Sequence, residues 1–142
     1  MRGDGNDDDN YETLDAAGEF FDREGGVVAV DLAGAEGLYP TGRYEKLFAR
    51  AAQMGLPFTI HAGEAAGAES VRMAVRFGAK RIGHGINSVQ DHELMRMLAA
   101  EGVTLELCPT SNLNTRVVDN ILDYPVQRLI DAGVKVTINT DN

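Results

Sequence analysis

Short apolar runs alternate with amphipathic stretches along the chain from Tyr11 onward. Five runs have the length and the apolar or β-branched character of buried strands: Val27–Leu32, Pro57–Ile60, Arg81–Gly83, Val103–Leu107 and Val134–Ile138. Four stretches between them repeat apolar residues at spacings of three and four, as on one face of a helix: 44–52, 71–75, 94–98 and 126–130. The pattern predicts an α/β fold.

Glycines mark the ends of the predicted helices. Gly55, Gly78, Gly102 and Gly133 each follow a helical stretch and precede a strand, at intervals of 23, 24 and 31 residues. A glycine belongs there because the residue after a helix often adopts the left-handed conformation. Repeated strand–helix units of this kind form a parallel sheet with right-handed crossovers.

Polar residues at the strand ends distinguish two parallel architectures. They follow every predicted strand: Asp31, His61, His84, Cys108 with Ser111 and Asn112, and Asp141. In a (β/α)₈ barrel all strand ends converge on one site, whereas an open doubly wound sheet uses only its switch point. No Gly-x-Gly-x-x-Gly or Walker A sequence is present. We therefore predict a partial TIM (β/α)₈ barrel of about five βα units with parallel strands, since a complete barrel takes about 250 residues.

The first residues differ from the rest in composition. Residues 1–12 hold five acidic side chains and one arginine, and little that is apolar. Such a segment buries too little to offset the entropy of ordering it, so we expect 1–12 to be a disordered acidic tail. Residues 13–142 are predicted to form the partial barrel, with strands near 27–32, 57–61, 81–84, 103–107 and 134–139.

Charge and cysteine content exclude several classes of protein. The 142 residues carry 13 basic and 22 acidic side chains, a net charge of −9, which disfavours nucleic acid and anionic membrane as partners. No apolar run approaches the roughly 20 residues of a membrane span, and the acidic N-terminus is unlike a signal peptide. We therefore expect a cytoplasmic protein. The single cysteine excludes a disulfide framework and a four-cysteine zinc site.

Three of the strand ends carry residues suited to catalysis. In His61-Ala-Gly-Glu64, an imidazole for a metal or a proton and a carboxyl for acid catalysis can face one ligand across a tight turn. The alternative is a helix-capping histidine beside a solvated glutamate. His84 lies between two glycines that permit close ligand approach, although a turn histidine also fits. Asp141 has the chemistry to ligate a metal or polarise a water.

Together these side chains indicate metal-activated water attacking a polarised carbon. They do not match the His-Glu-x-x-His helix of zinc proteases. They do not match the signature of cytidine-type deaminases either, because Cys108 is the only cysteine, and Cys108 itself is best interpreted as a small buried residue.

Five motifs, in this order, resemble the adenosine deaminase family, which are zinc enzymes of the amidohydrolase-type (β/α)₈ barrel. The motifs are Asp31-Leu-Ala-Gly34, His61-Ala-Gly-Glu64, Arg81-Ile-Gly-His84-Gly, Cys108-Pro-Thr-Ser-Asn112 and Ile138-Asn-Thr-Asp141. The resemblance covers about 26–142, similar to the second part of that barrel. It implies Zn²⁺ as cofactor and hydrolytic deamination of adenosine, a purine nucleoside, to inosine and ammonia. Related adenine deaminases usually carry Asp before the second-motif histidine, so Gly83 favours the nucleoside enzyme.

The resemblance also implies a role for each matching residue. His61 and Asp141 would ligate zinc. Glu64 would donate a proton to purine N1 as hydroxide attacks C6, and His84 would orient that hydroxide and help to move its proton. The Gly34 backbone would bind the purine edge, and Asn142 stands where the family has a second Asp that binds purine N7.

The chain departs from the family pattern in its histidines. The family's first strand carries a His-x-His pair that supplies two zinc ligands, whereas this chain has only His61, His84 and His92. We therefore expect the chain by itself to be an incomplete and inactive piece. A non-catalytic half-barrel that binds a ligand or partner chain is one alternative, and an adenine deaminase or other amidohydrolase is another. Open edges at the strands near Val27 and Ile138 predict self-association.

Overall fold

A computed structural model describes residues 1–141, in which six strands form one sheet. The strands are β1 (Arg2–Gly3), β2 (Val30–Gly34), β3 (Phe58–Ala62), β4 (Arg81–His84), β5 (Thr104–Leu107) and β6 (Lys135–Ile138). Every neighbouring pair is parallel, and the spatial order β1-β2-β3-β4-β5-β6 follows the chain. A doubly wound sheet would reverse its order at a switch point, so this is the wall of a barrel, and the predicted fold class is confirmed.

Helices connect the strands. They are α1 (Asp7–Phe20), α2 (Glu45–Gln53), α3 (Ala68–Phe77), α4 (His92–Glu101), α5 (Pro109–Asn114) and α6 (Val126–Asp131), with 3₁₀ turns at Thr41–Tyr44, Ile86–Gln90 and Ile121–Asp123. The four glycines expected after helices all have positive φ, between 66° and 102°. Within residues 1–141, no helix combines the length and apolar character needed to cross a membrane.

The two faces of the sheet differ in polarity because side chains alternate along each strand. On one face Ile60, Ile82 and Leu105 are in register and fully buried in the core. On the other face His61 pairs with Gly83, and Gly83 pairs with Glu106. Glu106 also bonds Arg81 of the adjacent strand at 2.5 Å. His61 therefore lies on the polar face, which is the inner side of a barrel wall.

The N-terminal segment is ordered, so the predicted disordered tail over 1–12 was wrong. Strand β1 pairs with Ala33 and Gly34, and helix α1 buries Leu14 completely. Asn10 is 2% exposed and bonds the backbone N and O of Arg2 at 2.6 and 2.8 Å. The acidic residues occupy the first turn of α1, where the helix dipole favours negative charge. Composition did not reveal the Asn10 hydrogen bonds or the favourable place of the acidic residues, because both depend on the positions of these polar groups in the segment.

The predicted edges of the sheet also differ from the structure. Strand β2 begins at Val30, whereas Val28 is 80% exposed and Val27 makes only an isolated bridge to Phe21. β1 pairs with part of the edge of β2 that faces away from β3. Within residues 1–141, β6 pairs with β5 alone. Self-association through the remaining edges stays a prediction.

Candidate active site

Side chains from three strand ends meet at one point. His61 lies on β3, His84 ends β4, and Asp141 follows β6. One potential ligand atom from each lies within 4.8 Å of the other two. The His61 and His84 ring centroids are 5.2 Å apart, and His84 Nε2 lies 3.8 Å from Asp141 Oδ1. Two imidazoles and a carboxylate are a donor set that zinc accepts.

Unusual backbone conformations occur at two of these residues. His84 has φ 60° and Asp141 has φ 77°, in the left-handed region that non-glycine residues rarely occupy. Such a conformation costs about 1–3 kcal/mol and tends to cluster at functional sites. The strain at both positions therefore marks this cluster as a site where side-chain direction matters more than local stability.

Gly83 is needed because of its close approach to His61. A Cβ atom at Gly83 would lie 3.0 Å from Cγ and Nδ1 of the His61 ring, closer than real Cβ contacts allow without movement. Both residues occupy paired positions on the polar face. Any larger residue at 83 would have to displace the imidazole.

Asp31 orients His61 from behind. Its Oδ1 lies 3.2 Å from His61 Nδ1, and the side chain of His61 is 30% exposed. The hydrogen bond to Asp31 raises the pKa of His61 above its ordinary value, although partial burial acts in the opposite direction. A carboxylate that binds one ring nitrogen of a histidine leaves the other nitrogen directed at a metal.

We expect Asp31→Asn to lower the pKa of His61 in the metal-free chain, because an amide stabilises the imidazolium less than a carboxylate does. In the unaltered chain, the stability due to this pair is complete below the usual histidine pKa of about 6.5. It is lost as the pH rises through the raised pKa. NMR titration of the His61 ring measures the shift directly. Asp119→Asn makes the same change at an exposed position and serves as the control. A His61 midpoint that is equal in all three chains would contradict the role of Asp31.

Glu64 belongs to a network around the buried side chains of His84 and Asn112. Its Oε2 lies 3.5 Å from His84 Nε2, and its Oε1 accepts a hydrogen bond from Asn112 Nδ2 at 3.0 Å. Asn112 is fully buried and also contacts His84 Nδ1 at 3.2 Å. The Tyr124 hydroxyl donates to Asn112 Oδ1 at 2.8 Å. The two predicted catalytic side chains, Glu64 and His84, are thus joined by one amide.

The loop that carries Glu64 wraps around a second carboxylate. Glu36 accepts hydrogen bonds from the backbone N–H groups of four consecutive residues, 63 to 66, at 2.6–3.1 Å. It also accepts one from the Ser70 hydroxyl, which contacts Thr41 Oγ1 at 2.6 Å. Successive N–H groups directed at one anion form a nest, and here that nest sets the path of the loop.

Cys108 is unsuited to nucleophilic catalysis. It is 5% exposed, and burial, the largest cause, raises the pKa of its thiol to about 11. Since the thiolate is the reactive form, the thiol stays protonated and inert near neutral pH. This agrees with its interpretation as a small buried residue.

The two predicted purine-binding positions have different outcomes. Gly34 has φ 121°, and it lines a small pocket together with Leu32 and His61. A Cβ atom there would lie 2.9 Å from the backbone of Gly3, so the close approach of β1 requires glycine. Asn142 lies outside the described residues. A separate open cavity of about 500 Å³ is bordered by His61, Glu106 and Asp141 among others.

Four residues of this network were absent from the predicted site. Asp31 and Asn112 belong to motifs at strand ends. Asp31 could have been found, because side chains alternate along the paired strands β2 and β3, which puts Asp31 on the same face as His61. Nothing in the sequence distinguished Glu36 or Tyr124 from ordinary loop residues.

A parallel barrel wall with histidines and a carboxylate gathered at the C-terminal ends of its strands has the architecture of a (β/α)₈ metal-dependent hydrolase. Residues 3–142 match the sequence profile of the family described as adenosine deaminase. The chain belongs to the adenosine deaminase family.

Relatives cover the chain fully and extend beyond it. An adenosine deaminase from Haemophilus ducreyi is 49% identical over 143 residues, which are 100% of this chain and 42% of that protein. The structure of an adenine deaminase from Arthrobacter aurescens has a TM-score of 0.88 and 32% identity, covering 99% of this chain and 42% of that one. An N6-methyl-AMP deaminase from Arabidopsis thaliana has a TM-score of 0.85 and 25% identity over 99% of this chain and 41% of its own. The chain thus spans less than half the length of these relatives.

Proposed function

We propose that this chain supplies part of the barrel of a zinc-dependent deaminase that converts adenosine and water to inosine and ammonia. The observation that carries the proposal is the convergence of His61, His84 and Asp141 within 4.8 Å, with Glu64 Oε2 at 3.5 Å from His84 Nε2. The site chemistry and the family membership support the same reaction class.

The donor atoms present fit a zinc site. His61 and Asp141 would hold the ion, with His61 oriented by Asp31. A bound zinc ion would act as a Lewis acid and make water nucleophilic near neutral pH. Two protein ligands are too few for a catalytic zinc site. We propose that the family's His-x-His pair supplies two more, from the region of the relatives that this chain does not match.

The other residues handle the purine and the protons. Glu64 would protonate purine N1, which makes C6 more electrophilic. His84 would direct the water that attacks C6. The C6–O bond forms and the C6–N bond breaks. Of the water's two protons, one leaves with the amine as ammonia, and the other replaces the proton that Glu64 gave to N1. The Gly34 backbone would bind the purine edge, and Asn142 would take part in substrate binding.

Adenine is the second candidate substrate, because an adenine deaminase is among the structural neighbours. Gly83 favours adenosine over adenine as the substrate. The aspartate usual at this position in adenine deaminases would bring a Cβ atom within 3.0 Å of the His61 ring as it lies here. Substrate assays must therefore compare adenosine, adenine and AMP.

The test is a chimera in which residues 1–142 replace the matching 42% of the Haemophilus ducreyi protein. We expect the chimera to bind zinc and to release ammonia from adenosine faster than from adenine or AMP. His61→Ala should abolish both properties, because it removes a ligand. His92→Ala, at the exposed start of α4, is the control and should preserve them. A folded, zinc-loaded chimera that deaminates none of the three purines would support the non-catalytic reading, and a preference for adenine would support the second candidate.

A further inference from the structure

We propose that Asn112, held in place by Tyr124, is a positioning residue that determines where the protons lie on His84 and Glu64. The arrangement makes His84 a hydrogen-bond donor and leaves metal binding to His61 and Asp141. The consequence for catalysis rests on the proposed function, whereas the proton positions follow from the geometry of the network.

The orientation of the Asn112 amide follows from its three partners. An amide offers two N–H donors and one carbonyl acceptor. The Tyr124 hydroxyl lies 2.8 Å from Oδ1, while Nδ2 lies 3.0 Å from Glu64 Oε1 and 3.2 Å from His84 Nδ1. A flipped amide would press its carbonyl oxygen against a carboxylate oxygen, and both atoms are acceptors. Because the side chain is fully buried, such a mismatch has no water to relieve it.

The amide determines the tautomer of His84. Since Nδ2 donates to His84 Nδ1, that nitrogen must be the acceptor, and the neutral ring carries its proton on Nε2. The groups facing Nε2 agree, because Glu64 Oε2 at 3.5 Å and Asp141 Oδ1 at 3.8 Å are both acceptors. A protonated Nε2 has no lone pair for a metal, but it can donate a hydrogen bond to a water oxygen.

His61 has the opposite arrangement. Its Nδ1 faces the Asp31 carboxylate at 3.2 Å, which can only accept, so the proton belongs on Nδ1 and Nε2 is free for a metal. One histidine is backed by a carboxylate and the other by an amide. This difference separates a ligand from a hydrogen-bond donor within a cluster whose potential ligand atoms all lie within 4.8 Å of one another.

The same amide determines which oxygen of Glu64 carries the acid proton. Oε1 accepts from Asn112 Nδ2 at 3.0 Å, so it already has a fixed donor. It also lies 3.2 Å from the Thr115 hydroxyl, whose single proton is shared with the Ser111 carbonyl oxygen at 3.0 Å. A proton added to Glu64 therefore goes to Oε2, the oxygen nearer His84. In the proposed reaction, Oε2 is the atom that would protonate purine N1.

Long-range ¹H–¹⁵N correlation spectra of the metal-free 142-residue chain test the proposal, since they distinguish protonated from unprotonated ring nitrogens. In mildly alkaline solution we expect the His84 proton on Nε2. Asn112→Asp should move it to Nδ1, because the new carboxylate can only accept from that nitrogen. Tyr124→Phe removes one hydroxyl, frees the amide to flip, and should give a mixture of both tautomers. Tyr39→Phe, at a tyrosine outside this network, should leave the tautomer unchanged.

A His84 proton on Nδ1 in the unaltered chain would overturn the proposal, and so would an unchanged tautomer in the folded variants. Tyr124→Phe keeps the comparison decisive if Asn112→Asp does not fold. In the chimera, Tyr124→Phe should lower kcat about fivefold to tenfold with little change in KM, since one neutral hydrogen bond is lost. Expected tautomers with no deamination would refute the proposed function alone, and deamination with the wrong tautomer would refute this inference alone.

Discussion

Glu64→Gln is expected to lower the rate of adenosine deamination by the chimera by about 10²–10⁴-fold, the usual contribution of a general acid. Glutamine keeps the size of the side chain, and its carbonyl can still accept from Asn112. Its amide nitrogen would then take the place of Oε2 near His84. From there the amide can donate a hydrogen bond to purine N1 but cannot transfer a proton to it. The effect should therefore fall on kcat, with KM changed much less.

Glu106→Gln provides the matched control. Its side chain is 25% exposed, compared with 23% for Glu64, and it also lies on the polar side of the sheet. Its carboxylate is paired with Arg81. We expect this variant to lose less than about tenfold in rate. Equal losses in the two variants, or full activity of Glu64→Gln, would contradict the acid role. Steady-state kinetics with adenosine, together with ammonia detection, measure both variants.

Replacement of Glu36 should have the largest effect on stability. Glu36→Ala leaves four consecutive backbone N–H groups and the Ser70 hydroxyl without their common acceptor. Because some of these groups can rehydrate, we expect the free energy of unfolding to fall by about 2–4 kcal/mol rather than by the sum of five bonds. Urea denaturation of the 142-residue chain measures this loss.

Glu36→Gln separates hydrogen bonding from size. Oε1 accepts from Gly63 and Ser70, whereas Oε2 accepts from the other three amides, so either orientation of glutamine sets its NH₂ group against donors. We expect a loss comparable to that of the alanine variant. Glu69→Ala removes an exposed glutamate paired with Arg72 and Arg76 and should cost under about 1 kcal/mol. If all three variants unfold alike, the carboxylate does not hold the loop.

Local sequence patterns were sufficient for the repeated parts of the fold. The strands of residues 30–138 fall within or beside the predicted runs, and the four predicted helix-ending glycines have positive φ. Both signals arise within a few residues, from side-chain alternation and from the conformational freedom of glycine. The segment 1–12 could not be predicted in this way, because its order depends on Asn10 bonding Arg2 and on Leu14 entering the core.

The sequence by itself determined which residue types stand at the strand ends, and parallel strands bring such residues to one edge. His61, His84 and Asp141 follow from that rule, and the structure gathers them. Only the tertiary structure decided what stands behind each of them. Asn112 reaches Glu64 across 48 residues, and Glu36 reaches the loop after β3 across 27 to 30. No local period relates positions so far apart, so the proton positions of the site depend on packing between separate βα units.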